Sequence, residues 1–265
     1  MFETILLSSD DGFSRVKIHN GELISYQKKG VEYIHQKENK GWNNSDTEMF
    51  PVIGPTLKNN YVVSTEKGKA TLDQHGLLRE FDYELLQNDQ KSAFFTKEYQ
   101  KNTFLNNRKF PSKSSEAHVF WPYDFSFNKK FILTNNTLEL IFEINSEKDM
   151  PFMLGYHPAF ELSGLENETL IAKDKKIKLT DVFAAGSDAL PVLNTAEIIL
   201  KNSDKKDLKI TTNGFKHFML WTEVNTMLCI EPITHFPELA TQKYSEENMQ
   251  LSSGKDFFSV TIMVL

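Results

Sequence analysis

Apolar and polar residues alternate with a period of two along much of this chain. In residues 138–145 (LELIFEIN), Leu138, Leu140, Phe142 and Ile144 interleave with Glu139, Ile141, Glu143 and Asn145, as in a strand with one strongly apolar face. Residues 130–133 form a second candidate just upstream. Asn135 and Asn136 between the two tolerate the positive φ of a tight turn, so a β-hairpin is expected here. Similar short runs recur at 14–19, 22–27, 31–35, 92–96, 153–157, 208–212, 217–221, 227–231 and 257–265. They are rich in β-branched and aromatic residues and are punctuated by Asn-Gly, Lys-Gly, Asn-Asn and Ser-Gly. About 15 or more antiparallel strands are expected from such spacing.

A sustained stripe at helical spacing is missing; the best candidate, residues 241–251, is short and weakly apolar. Alternating strand–helix units are therefore disfavoured. No Pro/Gly/Ser linker divides the chain, and residues 201–207 look like a solvated loop. The expected architecture is all-β: one domain over residues 1–265, a large antiparallel β-sandwich of two packed, twisted sheets.

Composition narrows the class further. Of the 265 residues, 40% are apolar and 25% charged, the proportions of an ordinary globular protein and not of a disordered one. The opening segment MFETILLSSDDGF has Glu3 inside it, no positive region and too short an apolar run for an export signal. No apolar run approaches the roughly 18 residues of a membrane span. The single cysteine, Cys229, cannot close an internal disulfide, and between Leu228 and Ile230 it reads as a small buried hydrophobe. A cytoplasmic protein without a membrane partner is expected. Net charge is −6 and the lysines are scattered, so nucleic-acid binding has little support.

Three polar segments sit where a strand core would not want them. In residues 74–80 (QHGLLRE), Gly76 permits a tight turn while His75 and Arg79 bracket two leucines, and Arg79 offers a fork of donors for hydroxyls or an anion. On that segment alone, a surface loop with an incidental histidine and a salt-bridged arginine is the better description. In residues 154–160 (LGYHPAF), Pro158 should stop the strand at His157 and present the imidazole at a sheet rim, as an acid, as a satisfied core histidine or as a plain terminator. In residues 228–232 (LCIEP), apolar neighbours would raise the pKa of Glu231 towards that of a useful base, although pairing with a Lys or Arg is the commoner fate of such a glutamate.

Trp42, residues 49–54 (MFPVIG), residues 121–125 (WPYDF) and Trp221 supply aromatics that could wall a sugar cleft, though most belong in a core. His19, His35, His118, His217 and His235 are dispersed. With no Walker loop, GxGxxG, HExxH or Cys/His metal spacing, neither a metal nor any other cofactor is expected.

Taken in order, MFPVIG, HGLLRE, GYHPAF, CIEP and a terminal alternating strand, nearly the whole chain resembles the aldose 1-epimerase (galactose mutarotase-like) family, and most closely its LacX-like branch. The resemblance implies an antiparallel β-supersandwich that interconverts the α and β anomers of a small-molecule aldose in an open cleft. It implies His157 as general acid, Glu231 as general base, and His75 and Arg79 as substrate-binding residues. The family's substrate-contacting aspartate has no motif here; Asp181 and Asp188 lie in a suitable region. Two departures stand out. HGLLR replaces the usual HGFAR, losing an aromatic that would line the cleft, and Asp46 and Glu48 stand ahead of FPVIG where the similar hexose-6-phosphate mutarotases carry an extra arginine, leaving Arg79 alone for a phosphate.

A monomer or homodimer acting on a free aldose is expected. The competing functions are a non-catalytic sugar sensor on the same scaffold and, behind it, a hexose-6-phosphate mutarotase or a glycoside hydrolase or lyase; hydrolysis normally needs two carboxyl groups, and only Glu231 is offered.

Overall fold

The alternation at 138–145 becomes strand Thr137–Ser146, in which Leu138, Leu140, Phe142 and Ile144 are fully buried. A computed structural model describes residues 4–265; Glu3, weighed above for an export signal, lies outside them. Thr137–Ser146 sits within a nine-stranded antiparallel sheet. Its spatial order is Lys175–Lys178, Thr169–Ala172, Glu197–Lys201, Leu208–Asn213, Lys255–Val264, Thr137–Ser146, Phe125–Leu133, Ser92–Tyr99 and Glu84–Asn88.

The expected hairpin forms with Leu133 opposite Leu138. Its turn differs from expectation: neither asparagine takes a positive φ. Instead the Thr134 hydroxyl accepts the N–H of Asn136 and of Thr137, at 3.2 and 3.0 Å. A local side-chain turn thus replaces left-handed backbone.

A second sheet holds Leu190–Val192, His217–Trp221, Met227–Ile233, Gly155–Tyr156 and Glu48–Met49 in that order, with Ala159–Glu161 also on Met227–Ile233. The core lies between these sheets. Phe142 of the large sheet meets Tyr156 of the second with ring centroids 5.2 Å apart, and Phe50 packs on Phe125 and Phe127 at 5.0 and 5.5 Å. A third sheet, Thr4–Ser8, Ser14–His19, Glu22–Lys28 and Val31–Glu32, adds Leu7, Val16 and Ile18 to the same core.

The run at 31–35 stops as a strand at Glu32, whose carboxylate accepts the N–H groups of Tyr26, Tyr33 and Ile34. Residues 241–251 form only a short turn, Glu246–Asn248, and the strand Gln250–Leu251. The α-helix among the described residues is Leu179–Ala185, too short to show its period in sequence; it buries Leu179 and Val182. No described helix is long and apolar enough to cross a membrane.

Candidate active site

His157 and Glu231, distant in sequence, are brought together by strand register. Gly155 pairs with Ile233 and Ala159 with Cys229, so His157 falls directly opposite Glu231 on neighbouring antiparallel segments. Opposed residues in such a pair project from the same face of the sheet. The His157 Nε2 accordingly lies 3.4 Å from a Glu231 carboxylate oxygen. On the other side, His157 donates its N–H to the Thr47 carbonyl at 2.8 Å and accepts from the Thr47 N–H at 3.3 Å. As the proline suggested, regular pairing stops at Tyr156, one residue earlier than expected.

The second segment folds onto the first. His75 and Gly76 both take positive φ, 71° and 73°, and Gly76 bridges Phe50 so closely that a Cβ would lie 2.1 Å from the Phe50 carbonyl oxygen. Only glycine fits there. This turn leaves Leu77 and Leu78 fully buried in the core, so the leucines that replace the usual aromatic and alanine do not reshape the cleft wall, contrary to expectation. His75 Nδ1 donates to the Ile53 carbonyl at 2.5 Å, leaving its Nε2 as acceptor. The rings of His75 and His157 meet edge to face at 5.6 Å. Arg79 donates to the Gln74 carbonyl at 2.5 Å and has Glu80 at 3.7 Å.

All four residues line one cleft of about 940 Å3. Trp42 covers His157 at 4.4 Å between ring centroids, and Trp221 approaches its edge at 6.0 Å. Both tryptophans line the cleft, whereas Trp121 is fully buried in the core. Sequence alone could not separate them, because the loop carrying Trp42 is shaped by His35, whose buried Nε2 donates to the Trp42 carbonyl at 2.8 Å. Asp188 lines the cleft; Asp181 does not, and its carboxylate accepts the Lys178 N–H at the helix start.

The basic side chains around the cleft exceed the single Arg79 expected. Lys97, on strand Ser92–Tyr99, also lines it, with Arg108, Lys109 and Lys113 from a segment without a recognisable motif. Arg108 faces Glu80 and Asp82, Lys109 binds Asp73 at 3.0 Å, and Lys97 donates to the Leu78 carbonyl. Lys97 and Lys109 are thus committed within the protein, whereas Arg108 is mostly exposed.

Beneath the cleft, fully buried Lys129 reaches across the sandwich to Asp46 at 2.8 Å and Glu48 at 2.6 Å, and the Tyr156 hydroxyl also donates to Asp46 at 2.8 Å. Asp46 and Glu48 flank Thr47, the residue bonded to the His157 backbone.

Burial sets the electrostatics of the central pair. Desolvation, then the charge of Arg79, pushes the His157 imidazole down to about 3. Desolvation raises the Glu231 carboxyl well above its usual value. Burial favours the uncharged form of both groups, and a proton carried by the carboxyl has the imidazole as its neighbour. Moving that proton across 3.4 Å gives imidazolium and carboxylate, with no change in proton count. The same residues, with Cys229, also offer three donor atoms lying within 4.8 Å of one another, a grouping that could hold a metal ion.

The aldose 1-epimerase family model matches residues 21–258. The chain belongs to the aldose 1-epimerase family. The chromosomally encoded LacX protein of Lactococcus lactis subsp. lactis is 24% identical over 173 residues, covering 62% of this chain and 53% of that protein. The chain thus spans about half the length of the curated relatives it matches. Among solved structures, a galactose mutarotase-like protein from Lactobacillus casei superposes with a TM-score of 0.79 at 17% identity, covering 99% of this chain and 100% of that one. A galactose mutarotase related enzyme from Lactobacillus acidophilus gives 0.75 at 18% identity, covering 99% and 97%. The family and its galactose mutarotase-like β-sandwich fold agree with the motif order read from the sequence.

Proposed function

We propose that this member of the family is an aldose 1-epimerase, a mutarotase that interconverts the anomers of a free aldose with His157 as general acid and Glu231 as general base. The observation that carries this assignment is the convergence of the imidazole and the carboxyl, 3.4 Å apart, on the wall of an open cleft.

Ring opening of a hemiacetal removes a proton from the C1 hydroxyl and delivers one to ring oxygen O5. Glu231 as carboxylate takes the first, and His157 as imidazolium gives the second. Glu231 is then protonated and His157 neutral, the pair of forms that burial favours. Rotation about C1–C2 turns the aldehyde, Glu231 returns its proton to the carbonyl oxygen, and His157 withdraws the proton from O5 as the ring closes. Protons balance over the cycle. Positioned acid–base groups of this kind contribute about 10²–10⁴-fold each.

His75, with Nε2 left as an acceptor, and Arg79 are assigned to sugar hydroxyls, and the faces of Trp42 and Trp221 to the apolar side of the ring. Asp188 joins them as the cleft-lining candidate for a hydroxyl contact. A neutral aldose fits better than a phosphorylated one, because Arg79 and Lys109, the half-buried cations of the cleft, already face carboxylates.

Polarimetry of freshly dissolved α-glucose or α-galactose tests the assignment. His157→Ala and Glu231→Gln should each abolish the acceleration seen with the wild type while the circular dichroism stays native. Full activity in both variants removes the mechanism, and saturable sugar binding without acceleration by wild type makes the protein a sensor.

A further inference from the structure

Cys229 has no part in that chemistry, yet it stands two residues from Glu231 on the strand opposite His157. Its side chain is buried with Ala159 and Met227 beneath Trp42 and Trp221, on the His157 side of the sheet. An imidazole nitrogen, a carboxylate oxygen and a thiol sulfur therefore converge with all donor atoms within 4.8 Å. His157 and Glu231 also line the cleft, which supplies an entry path.

We infer that His157, Glu231 and Cys229 form a binding site for a thiophilic divalent cation of the Zn²⁺ class, and that the bound ion blocks the acid–base pair. The blocking rests on the proposed mutarotase function; the binding does not.

Geometry supports a small tetrahedral ion. With metal–nitrogen and metal–oxygen bonds of about 2.0–2.1 Å, tetrahedral donors stand about 3.4 Å apart, and His157 Nε2 and Glu231 already do. A sulfur at about 2.3 Å from the ion requires a separation of about 3.6 Å, which Cys229 Sγ reaches by closing at most about 1.2 Å, since all donor atoms already lie within 4.8 Å of one another. Three protein donors leave the fourth position open to the cleft.

Charge favours the same ion. One thiolate and one carboxylate neutralise a dication, so the buried site stays uncharged as a whole; the thiol proton and the proton shared by the pair leave to solvent as the ion enters. A set of one sulfur, one nitrogen and one oxygen selects Zn²⁺ over Mg²⁺ or Ca²⁺, which prefer oxygen alone.

The site's fourth position, open to the cleft, gives a chelator access to the bound ion. A chelator should reverse the block.

The test uses the full chain after dialysis against a chelator. Added Co²⁺ should give a near-ultraviolet thiolate-to-metal charge-transfer band at one ion per chain, which Zn²⁺ displaces. Cys229→Ala should remove the band and weaken Zn²⁺ inhibition of mutarotation by about tenfold or more, while activity without metal is retained. Cys229→Ser, which keeps the size of the side chain, should behave alike and guards against a packing effect. A wild type without the band, or Zn²⁺ inhibition equally strong in both cysteine variants, overturns the site. Should the wild type fail to accelerate mutarotation of any aldose, the functional assignment falls, and the cobalt band still decides the metal site.

Discussion

At the scale of single residues, the central quantity is one proton distributed between His157 and Glu231. The groups are 3.4 Å apart and both buried, so each is desolvated beside the other. A second proton enters only below the depressed pKa of His157, about 3, and the shared proton leaves only above the raised pKa of Glu231. Gaining the second proton removes the base, and losing the shared one removes the acid. On the proposed mechanism, kcat/KM measured with a chelator present should show no acid limb at the ordinary histidine value and should fall where the raised Glu231 carboxyl loses its proton. An acid limb near 6.5, the ordinary histidine value, would mean that His157 is solvated and titrates alone.

On the proposed function, Trp42 serves binding more than chemistry, since its ring covers His157 at 4.4 Å without offering a proton-transfer group. Trp42→Ala should cost about 1 kcal/mol of binding, roughly a fivefold rise in KM, with a smaller change in kcat. Initial-rate kinetics separate the two. His157 and Glu231 were legible as candidates because a proline follows each of them and apolar residues precede them. Trp42 was not legible as a cleft wall, since its placement depends on a contact with His35 that no spacing encodes. Cys229 read correctly as buried, but its neighbours across the sheet could not be seen.

At the scale of elements, two features hold the site segments in place. The His75–Gly76 turn clamps onto Phe50 through close backbone contact, and a Cβ at position 76 would meet the Phe50 carbonyl at 2.1 Å. Gly76→Ala should thus lower stability by about 2 kcal/mol or more, from strain at positive φ and the forced shift. Equilibrium urea unfolding measures it, and a change within error would show that the turn relaxes freely. Lys129 joins the large sheet to Asp46 and Glu48, which flank the residue that holds the His157 backbone. Lys129→Met takes from two buried carboxylates the cation they both contact, leaving Glu48 only the charge of Lys97. A loss of about 3–5 kcal/mol is expected, read by the same urea titration; near-neutral stability would mean that water reaches the cluster.

These elements also show where pattern reading works. Thr137–Ser146 was plain because each second residue is buried. The turn beside it was placed correctly and built differently, the Thr134 hydroxyl taking over the role assigned to the asparagines. Helix Leu179–Ala185 spans about two turns, too few for a period to stand out.

At the scale of the molecule, the all-β sandwich followed from many short alternating runs and the lack of a helical stripe. The pairing order did not, because the strand partners lie far apart in sequence: Met227–Ile233 meets Gly155–Tyr156 and Ala159–Glu161 across some seventy residues. That one pairing register places the imidazole opposite the carboxyl and creates the cleft chemistry. Slipping it by a single residue would turn one of the two away from the cleft.

The most direct test of the account observes the anomers at equilibrium, where no net rotation change is needed. In NMR exchange spectroscopy of glucose labelled with ¹³C at C1, or of galactose labelled alike, the α and β signals should show exchange cross-peaks that grow with wild-type protein concentration. The same peaks should return to the level of buffer alone with Glu231→Gln or His157→Ala. Cross-peaks that persist undiminished in both variants, or wild-type protein that binds either sugar yet leaves the exchange rate unchanged, would contradict it.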